Sequence, residues 1–319
     1  MAIVARTRRT GRRAVRLARE TFALTNRRRA LLRWAAFAAV KPFSSTVSTE
    51  VDGIRYFVST ADHSVGRLIF MGTVPDGELF GRFIALLERE VGRPLLAGNV
   101  FVEVGANIGT TTLPAVLRHD ARQVLALEPA PDNLPLLRAN LAANGLDEHR
   151  VRVLPVAASD QPGEAEFEVC SGNSGDGRVR VPAGGGSDPD LYGENRRPVV
   201  RVPVARLDDV LAAERIDPDR VGLVWIDTQG HEAQVLGGAP GLLTSAAAVV
   251  LEYWPYGLRR AGGLERLHEL IAGSGRRIVD LRASVGAGTP VEIPSDELDS
   301  LPRRYVEQSY TDLALLSPS

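Results

Sequence analysis

Cysteine is almost missing from this sequence: Cys170 stands alone among 319 residues. A single thiol excludes an intramolecular disulfide and any metal site built on several cysteines, and it fits a reducing compartment. Histidine is scarce too, with five residues and no H-E-x-x-H or comparable pairing, so no metal is required. Long apolar runs are lacking, since none approaches the ~20 residues that cross a bilayer. The nearest, ALLRWAAFAAV from Ala30 to Val40, is short and broken by Arg33, which also weakens it as an export signal. A cytoplasmic location is expected. No internal repeat occurs, and no nucleic-acid-reading motif accompanies the basic residues, so no nucleic-acid partner is expected.

What is present is unevenly distributed. The formal net charge is −1, yet up to Lys41 the chain carries 12 basic residues against the single acid Glu20. The remainder carries 26 basic and 38 acidic residues. Residues 1–45 are therefore set apart as a basic helical arm, with Val15, Ala18 and Phe22 at helical spacing. Two readings of the arm stay open: a solvated tail, or an interfacial helix drawn to an anionic membrane surface at the inner face.

Residues 46–94 form a preface. A strand is expected around IRYFVST and a helix in GELFGRFIALLEREVG, with Leu79, Phe83, Leu86 and Leu87 as its apolar stripe. From residue 95 to 319, strand and helix signals alternate. NVFVEV, QVLALE, VRVLPV, LVWID and AVVLEY are the expected strands; PDNLPLLRANLAANG is the clearest helix, stopped at Asn144-Gly145. This alternation predicts an α/β fold, a mostly parallel sheet with helices on both faces. Cys170 to Arg197, rich in Gly, Ser, Asp and Pro, is expected as a long loop outside the core, and SYTDLALL as a final antiparallel edge strand.

The stretch VFVEVGANIGTTT runs from a strand through Gly105 and Gly109 into a helix. Glycine lets the backbone turn sharply and approach a ligand, and a helix N-terminus favours negative groups. A dinucleotide fingerprint would place glycine where Asn107 stands, which weakens the nicotinamide reading. Glu128 ends the next strand, where a carboxylate can accept hydrogen bonds from both hydroxyls of an adenosine ribose. Glu103, two residues before the first glycine, suits a cationic amino group and would repel a pyrophosphate. Together these favour S-adenosylmethionine (SAM) over NAD.

In that order, FVEVGANIGTTTLPA, ALEPAPDNLPLLRANLAANG, VAASDQPGEAEF, VPVARLDDVL and WIDTQGHEAQVLGGA resemble the FkbM-type SAM-dependent methyltransferases, over about Leu95 to Tyr253. The resemblance implies a seven-stranded, Rossmann-like class I methyltransferase fold with SAM across the carboxyl ends of the central strands. It further implies that Glu103, Gly105, Asn107 and Gly109 cradle the amino-acid half of SAM. Glu128 would then hold the ribose, and Ala157, Ala158, Ser159 and Asp160 would position adenine. Asp227 would face the sulfonium region, and His231 would serve as general base, its ordinary pKa lying near the working range. Gln229, where many relatives carry Glu, is assigned to the acceptor with Glu232 and Glu252, the latter beside Tyr253 and Trp254. The loop Ser171–Asn195 is expected as a substrate lid. The implied activity is O-methylation of a hydroxyl, with a sugar, glycoconjugate or secondary metabolite as acceptor. A nicotinamide-dependent oxidoreductase and a non-catalytic SAM-binding scaffold at a membrane stay open as alternatives.

Overall fold

The computed structural model describes residues 31–180, 191–306 and 309–317; most of the basic arm, residues 1–30, lies outside them. Residues 31–40 are helical, and an antiparallel hairpin follows, β1 (Thr46–Val51) and β2 (Ile54–Ser59). The helices Val65–Met71 and Gly77–Val91 come next, the second burying Phe80, Phe83, Ile84, Leu86 and Leu87. Its buried stripe is wider than the expected one because Phe80 and Ile84 face the sheet, while Leu79 is only partly buried.

The rest of the chain builds two sheets. Its strands are β3 (Val100–Val104), β4 (Gln123–Leu127), β5 (Val151–Leu154), β6 (Ala157–Ala158), β7 (Gly163–Glu168), β8 (Arg178–Val179) and β9 (Val199–Ala205). They continue as β10 (Val221–Ile226), β11 (Ala248–Tyr253), β12 (Arg277–Asp280), β13 (Glu292–Ile293) and β14 (Thr311–Leu316). The large sheet has the order β13-β12-β14-β11-β10-β3-β4-β5. β5, β4, β3, β10 and β11 are parallel, and β14 runs antiparallel between β11 and β12. This is the class I methyltransferase arrangement, extended at one edge by the two-residue β13 to make eight strands rather than seven.

Every residue of β3, β10 and β11 is buried, as a parallel strand covered on both faces requires. Alternation sorts their side chains between two cores. Phe101, Trp225 and Val250 join the core shared with the hairpin and the helix Gly77–Val91, so the preface and the main sheet bury one continuous apolar layer. Val102, Val224, Ile226, Leu251 and Tyr253 lie in the opposite core. Asn140 ties the preface down further, donating to the Ile108 carbonyl at 2.8 Å and accepting from the Phe57 amide.

Three expectations are corrected. SYTDLALL is not an edge strand, because β12 and β13 lie beyond it and all six residues of β14 are buried. A second, four-stranded sheet (β6-β9-β7-β8) forms where only sequence blocks were noted, around Ala130, Ala157, Phe167 and Val202. The described parts of the Cys170–Arg197 segment are also more than a loop outside the core. Arg178 is buried and ion-paired with Asp176 and, at 3.6 Å, with Glu194, while Arg197 pairs with Asp176. Glu194 is fully buried and also accepts from the Tyr256 hydroxyl at 2.8 Å. Residues 181–190 of the expected lid lie outside the described residues.

Candidate active site

Two adjoining cavities open at the carboxyl ends of β3, β4 and β10, where open α/β sheets bind ligands. The first, about 80 Å³, is lined by Gly105, Asn107, Glu128, Ala157, Ala158 and His231, among others. The second, about 290 Å³, is walled by Asp76, Tyr192, Glu252, Trp254, Arg282 and Asp312. Asn107, Trp225, Asp227 and Gln229 line both.

In the first cavity, Glu128 is held at the end of β4 by the main chain. It accepts from the Asn107 amide at 2.6 Å and the Ala130 amide at 2.8 Å. Burial raises its pKa to about 7, against those bonds. Asn107 adopts the left-handed conformation (φ 52°), and its side-chain Oδ1 has no partner among the described residues. The Ser174 hydroxyl and His231 Nδ1 are also buried without a partner, and both residues line this cavity. Three unsatisfied buried polar atoms around one cavity are costly unless a ligand or water answers them.

Not every expected cofactor residue lines the space. Glu103 is buried behind the turn, accepting from the Thr112 hydroxyl, and its second oxygen is unpartnered. Burial raises its pKa to about 8, favouring the neutral acid, and it lines neither cavity, so it is not an open counter-charge. Gly109 supports the turn from beneath, since a Cβ there would press on Leu137 Cδ1 at 3.1 Å. Asp160 is engaged by Arg266 at 2.5 Å, outside the cavity lining. Ser159 shares a hydrogen bond of 3.1 Å with His231 Nε2 rather than lining the cavity.

At the junction, Gln229 also takes the left-handed conformation (φ 57°). Its amide nitrogen donates to Asp227 Oδ1 at 2.7 Å and to Glu252 Oε2 at 2.9 Å, so one neutral side chain bridges the accessible Asp227 carboxylate and the buried Glu252. Desolvation by the protein atoms around the cavity junction raises Asp227 to about 6, with the Gln229 bond opposing. Glu252 is pushed well above its ordinary value by burial and by the charges of Asp227, Glu232 and Asp312. Asp312 sits directly across from Glu252 in the β11–β14 register, and burial raises it to about 7. Like charges placed opposite one another are destabilising. Arg282 compensates, bonding Asp312 at 2.6 Å and Asp76 at 3.1 Å.

Two expected roles do not fit this geometry. Burial lowers His231 to about 4, which makes its imidazole neutral and a poor proton acceptor at neutral pH. Glu232 is fully buried and does not line either cavity. Its Oε1 accepts from the Thr228 amide and hydroxyl, both at 2.9 Å, and from the Gly230 amide at 3.2 Å, which clamps the loop carrying Gln229. Tyr253 likewise turns away from Glu252 by strand alternation and bonds His268 Nε2 at 2.8 Å.

Asp312, Arg282 and Asp76 line the second cavity and were missed by motif reading, whereas Tyr192 belongs to the expected lid. Asp312 carried a signal: a lone acid inside the apolar run TDLALL, on a strand with every residue buried. Arg282 and Asp76 carried none, because they come from segments distant in sequence.

Residues 103–258 match the family model described as the methyltransferase FkbM domain. The chain is 34% identical over 171 residues to the 31-O-demethyl-FK506 methyltransferase FkbM of Streptomyces tacrolimicus, covering 46% of this chain and 62% of that one. It is 26% identical over 168 residues to the 2-O-methyltransferase NoeI of Sinorhizobium fredii (strain NBRC 101917 / NGR234), covering 48% of this chain and 63% of the other. The matches thus span somewhat under two thirds of these relatives' length. Among solved structures, a methyltransferase FkbM from Methylobacillus flagellatus KT aligns with a TM-score of 0.43 and 15% identity, over 80% of this chain and 53% of that one. A domain of this kind takes S-adenosyl-L-methionine. The residues fit it: Glu128 for ribose hydroxyls, Ala157 and Ala158 as a flat apolar wall, and the unpartnered Asn107, Ser174 and His231 atoms as further hydrogen-bonding groups. The segment from Glu103 to Leu258 is therefore similar to FkbM-type methyltransferase domains.

Proposed function

We propose that the protein is a SAM-dependent O-methyltransferase that takes its acceptor in the larger cavity and uses Asp227 as general base. One observation carries this reading: Asp227 lines both cavities, its side chain is accessible from them, and its pKa is raised to about 6. When bound, SAM supplies a methyl group activated on a sulfonium, and methyl transfer to an oxygen leaves a neutral thioether. The chain's task is then to align the acceptor hydroxyl and to take up its proton. Asp227 accepts that proton, and Gln229 fixes the carboxylate while keeping Glu252 from repelling it. His231, neutral and bonded to Ser159, orients the cofactor side of the cleft.

The acceptor follows from the lining. Asp227, Glu252 and Asp312 offer hydrogen-bond acceptors for several hydroxyls, and Trp254 and Tyr310 add aromatic surface, their rings also packed by the guanidinium groups of Arg178 and Arg282. Among the described residues lining this cavity the cation is Arg282, which is already shared between two carboxylates rather than held for a phosphate or carboxylate. A neutral polyhydroxylated acceptor, a sugar or a sugar-bearing metabolite, suits this surface. The printed names of both curated relatives describe methylation at oxygen, which supports oxygen as the target.

Radiolabelled methyl transfer to a panel of neutral and phosphorylated glycosides tests this reading. Turnover of neutral glycosides that Asp227→Asn abolishes, with SAM binding retained, is the expected result. Preference for phosphorylated acceptors would overturn the acceptor class, and turnover undiminished in Asp227→Asn would overturn the base.

A further inference from the structure

We propose that residues 31–43, together with the basic segment before them, dock the protein on an anionic phospholipid surface. The helical residues 31–40 are almost wholly apolar, LLRWAAFAAV, yet only Phe37 of them is buried, its ring 5.2 Å from that of Phe70. Leu31 is 66% exposed, Leu32 71%, Trp34 55%, and Phe43 just beyond the helix 89%. Large apolar side chains gathered on one short exposed element mark an interaction surface. Val40 is partly buried and Lys41 Nζ lies 3.3 Å from His63 Nε2, so the element is seated on the body at its carboxyl end.

Charge selects the occupant. Ten arginines and one acid lie between Met1 and Arg29, Arg33 interrupts the apolar residues, and Lys41 follows them. A cationic segment joined to an exposed Leu, Trp and Phe face matches the two attractions of an anionic bilayer: headgroup charge, and burial of apolar side chains at the acyl boundary. The apolar run Ala30 to Val40, bounded by Arg29 and Lys41 and interrupted by Arg33, is far shorter than the ~20 residues that cross a bilayer, so it suits the interface rather than a span. A nucleic acid would use the arginines and leave Leu31, Leu32, Trp34 and Phe43 in water.

Docking also has a direction. Phe37 packs on Phe70 of the helix Val65–Met71, and Val65 together with Asp76 and Gly77 walls the larger cavity. One segment thus separates the lipid-facing element from the acceptor site.

The test is co-sedimentation of the full-length protein with phosphatidylcholine vesicles, with and without phosphatidylglycerol, at low and high salt. The full-length protein is compared with the variant Leu31→Ser, Leu32→Ser, Trp34→Ser, Phe43→Ser. These side chains are exposed, so the variant should keep its thermal transition. Expected are binding to the anionic vesicles alone, weakening with salt, and a loss of roughly tenfold or more in the variant. Trp225 and Trp254 are buried, so quenching by brominated lipid chains should report Trp34. Absence of vesicle binding, or binding unchanged in the variant, overturns the proposal. So does a dimer in light scattering that the variant loses without any lipid binding, or binding to duplex DNA in place of vesicles.

Discussion

Gly105 lies main chain to main chain against Asp227: a Cβ on the glycine would fall inside the van der Waals shell of the Asp227 carbonyl oxygen. The Asp227 amide donates to the Val104 carbonyl at 2.9 Å, locking the ends of β3 and β10 together. The glycine turn that lines the first cavity and the carboxylate that lines both are therefore positioned by one backbone contact.

Gly105→Ala should consequently damage both halves of the site at once. The residue sits at φ 94°, which alanine adopts only under strain, and the added methyl has no space. A loss of about 3 kcal/mol or more is expected by chemical denaturation. A folded, fully stable alanine variant would show that the two strand ends can separate freely.

Asp227→Asn should lower kcat by roughly 10²- to 10⁴-fold with little change in SAM affinity, as removal of a general base does. His231→Ala should cost less in rate, because an imidazole whose pKa is lowered to about 4 is a weak proton acceptor. If the histidine variant is the more damaged in kcat, the assignment of the base is reversed.

The wild-type rate should rise with pH and level off above about 6, because Asp227 must be ionised to accept a proton. Gln229→Asn tests the bridge. Asparagine tolerates the left-handed backbone but carries an amide one carbon too short to reach both carboxylates. Losing that donor raises the pKa of Asp227, so the rising limb should move to higher pH. An unmoved limb would mean that Gln229 does not govern the carboxylate.

Stability in the absence of ligand should fall as pH rises from about 5 to about 8. Burial lifts Glu103 to about 8, and Glu128 and Glu232 to about 7, above the ordinary carboxyl value near 4.3 in the unfolded chain. The folded state then binds more protons than the unfolded state, so stability declines until the folded pKa values are passed. Glu103→Gln should flatten part of the decline, as thermal unfolding across that range would record. A midpoint that rises over the same range would contradict the burial of these groups.

Glu128→Ala should weaken SAM binding by roughly tenfold to a hundredfold, since hydrogen bonds to a charged group contribute about 1.5–3 kcal/mol. Isothermal titration checks this, and undiminished affinity would remove Glu128 from the cofactor site.

The sheet, its glycine turn and Glu128 were legible in the sequence because each depends on local order. Short β-branched runs alternating with amphipathic segments can only form covered parallel strands, and a strand, a glycine turn and a helix are contiguous in the chain. Asp227, at the end of LVWID, was readable for the same reason. Environment was not readable. His231 has an ordinary pKa on paper, and only its burial lowers it. Glu232 looked like a site acid, but the amides of Thr228 and Gly230 converge on it once the loop has folded. The acidic wall is the clearest case. Glu252 and Asp312 become neighbours because β14 inserts antiparallel beside β11, and Arg282 meets Asp76 across 206 positions of chain. Local periodicity determines which elements form. Strand order decides which charges must share a cavity, because proximity through space carries no signature along the chain.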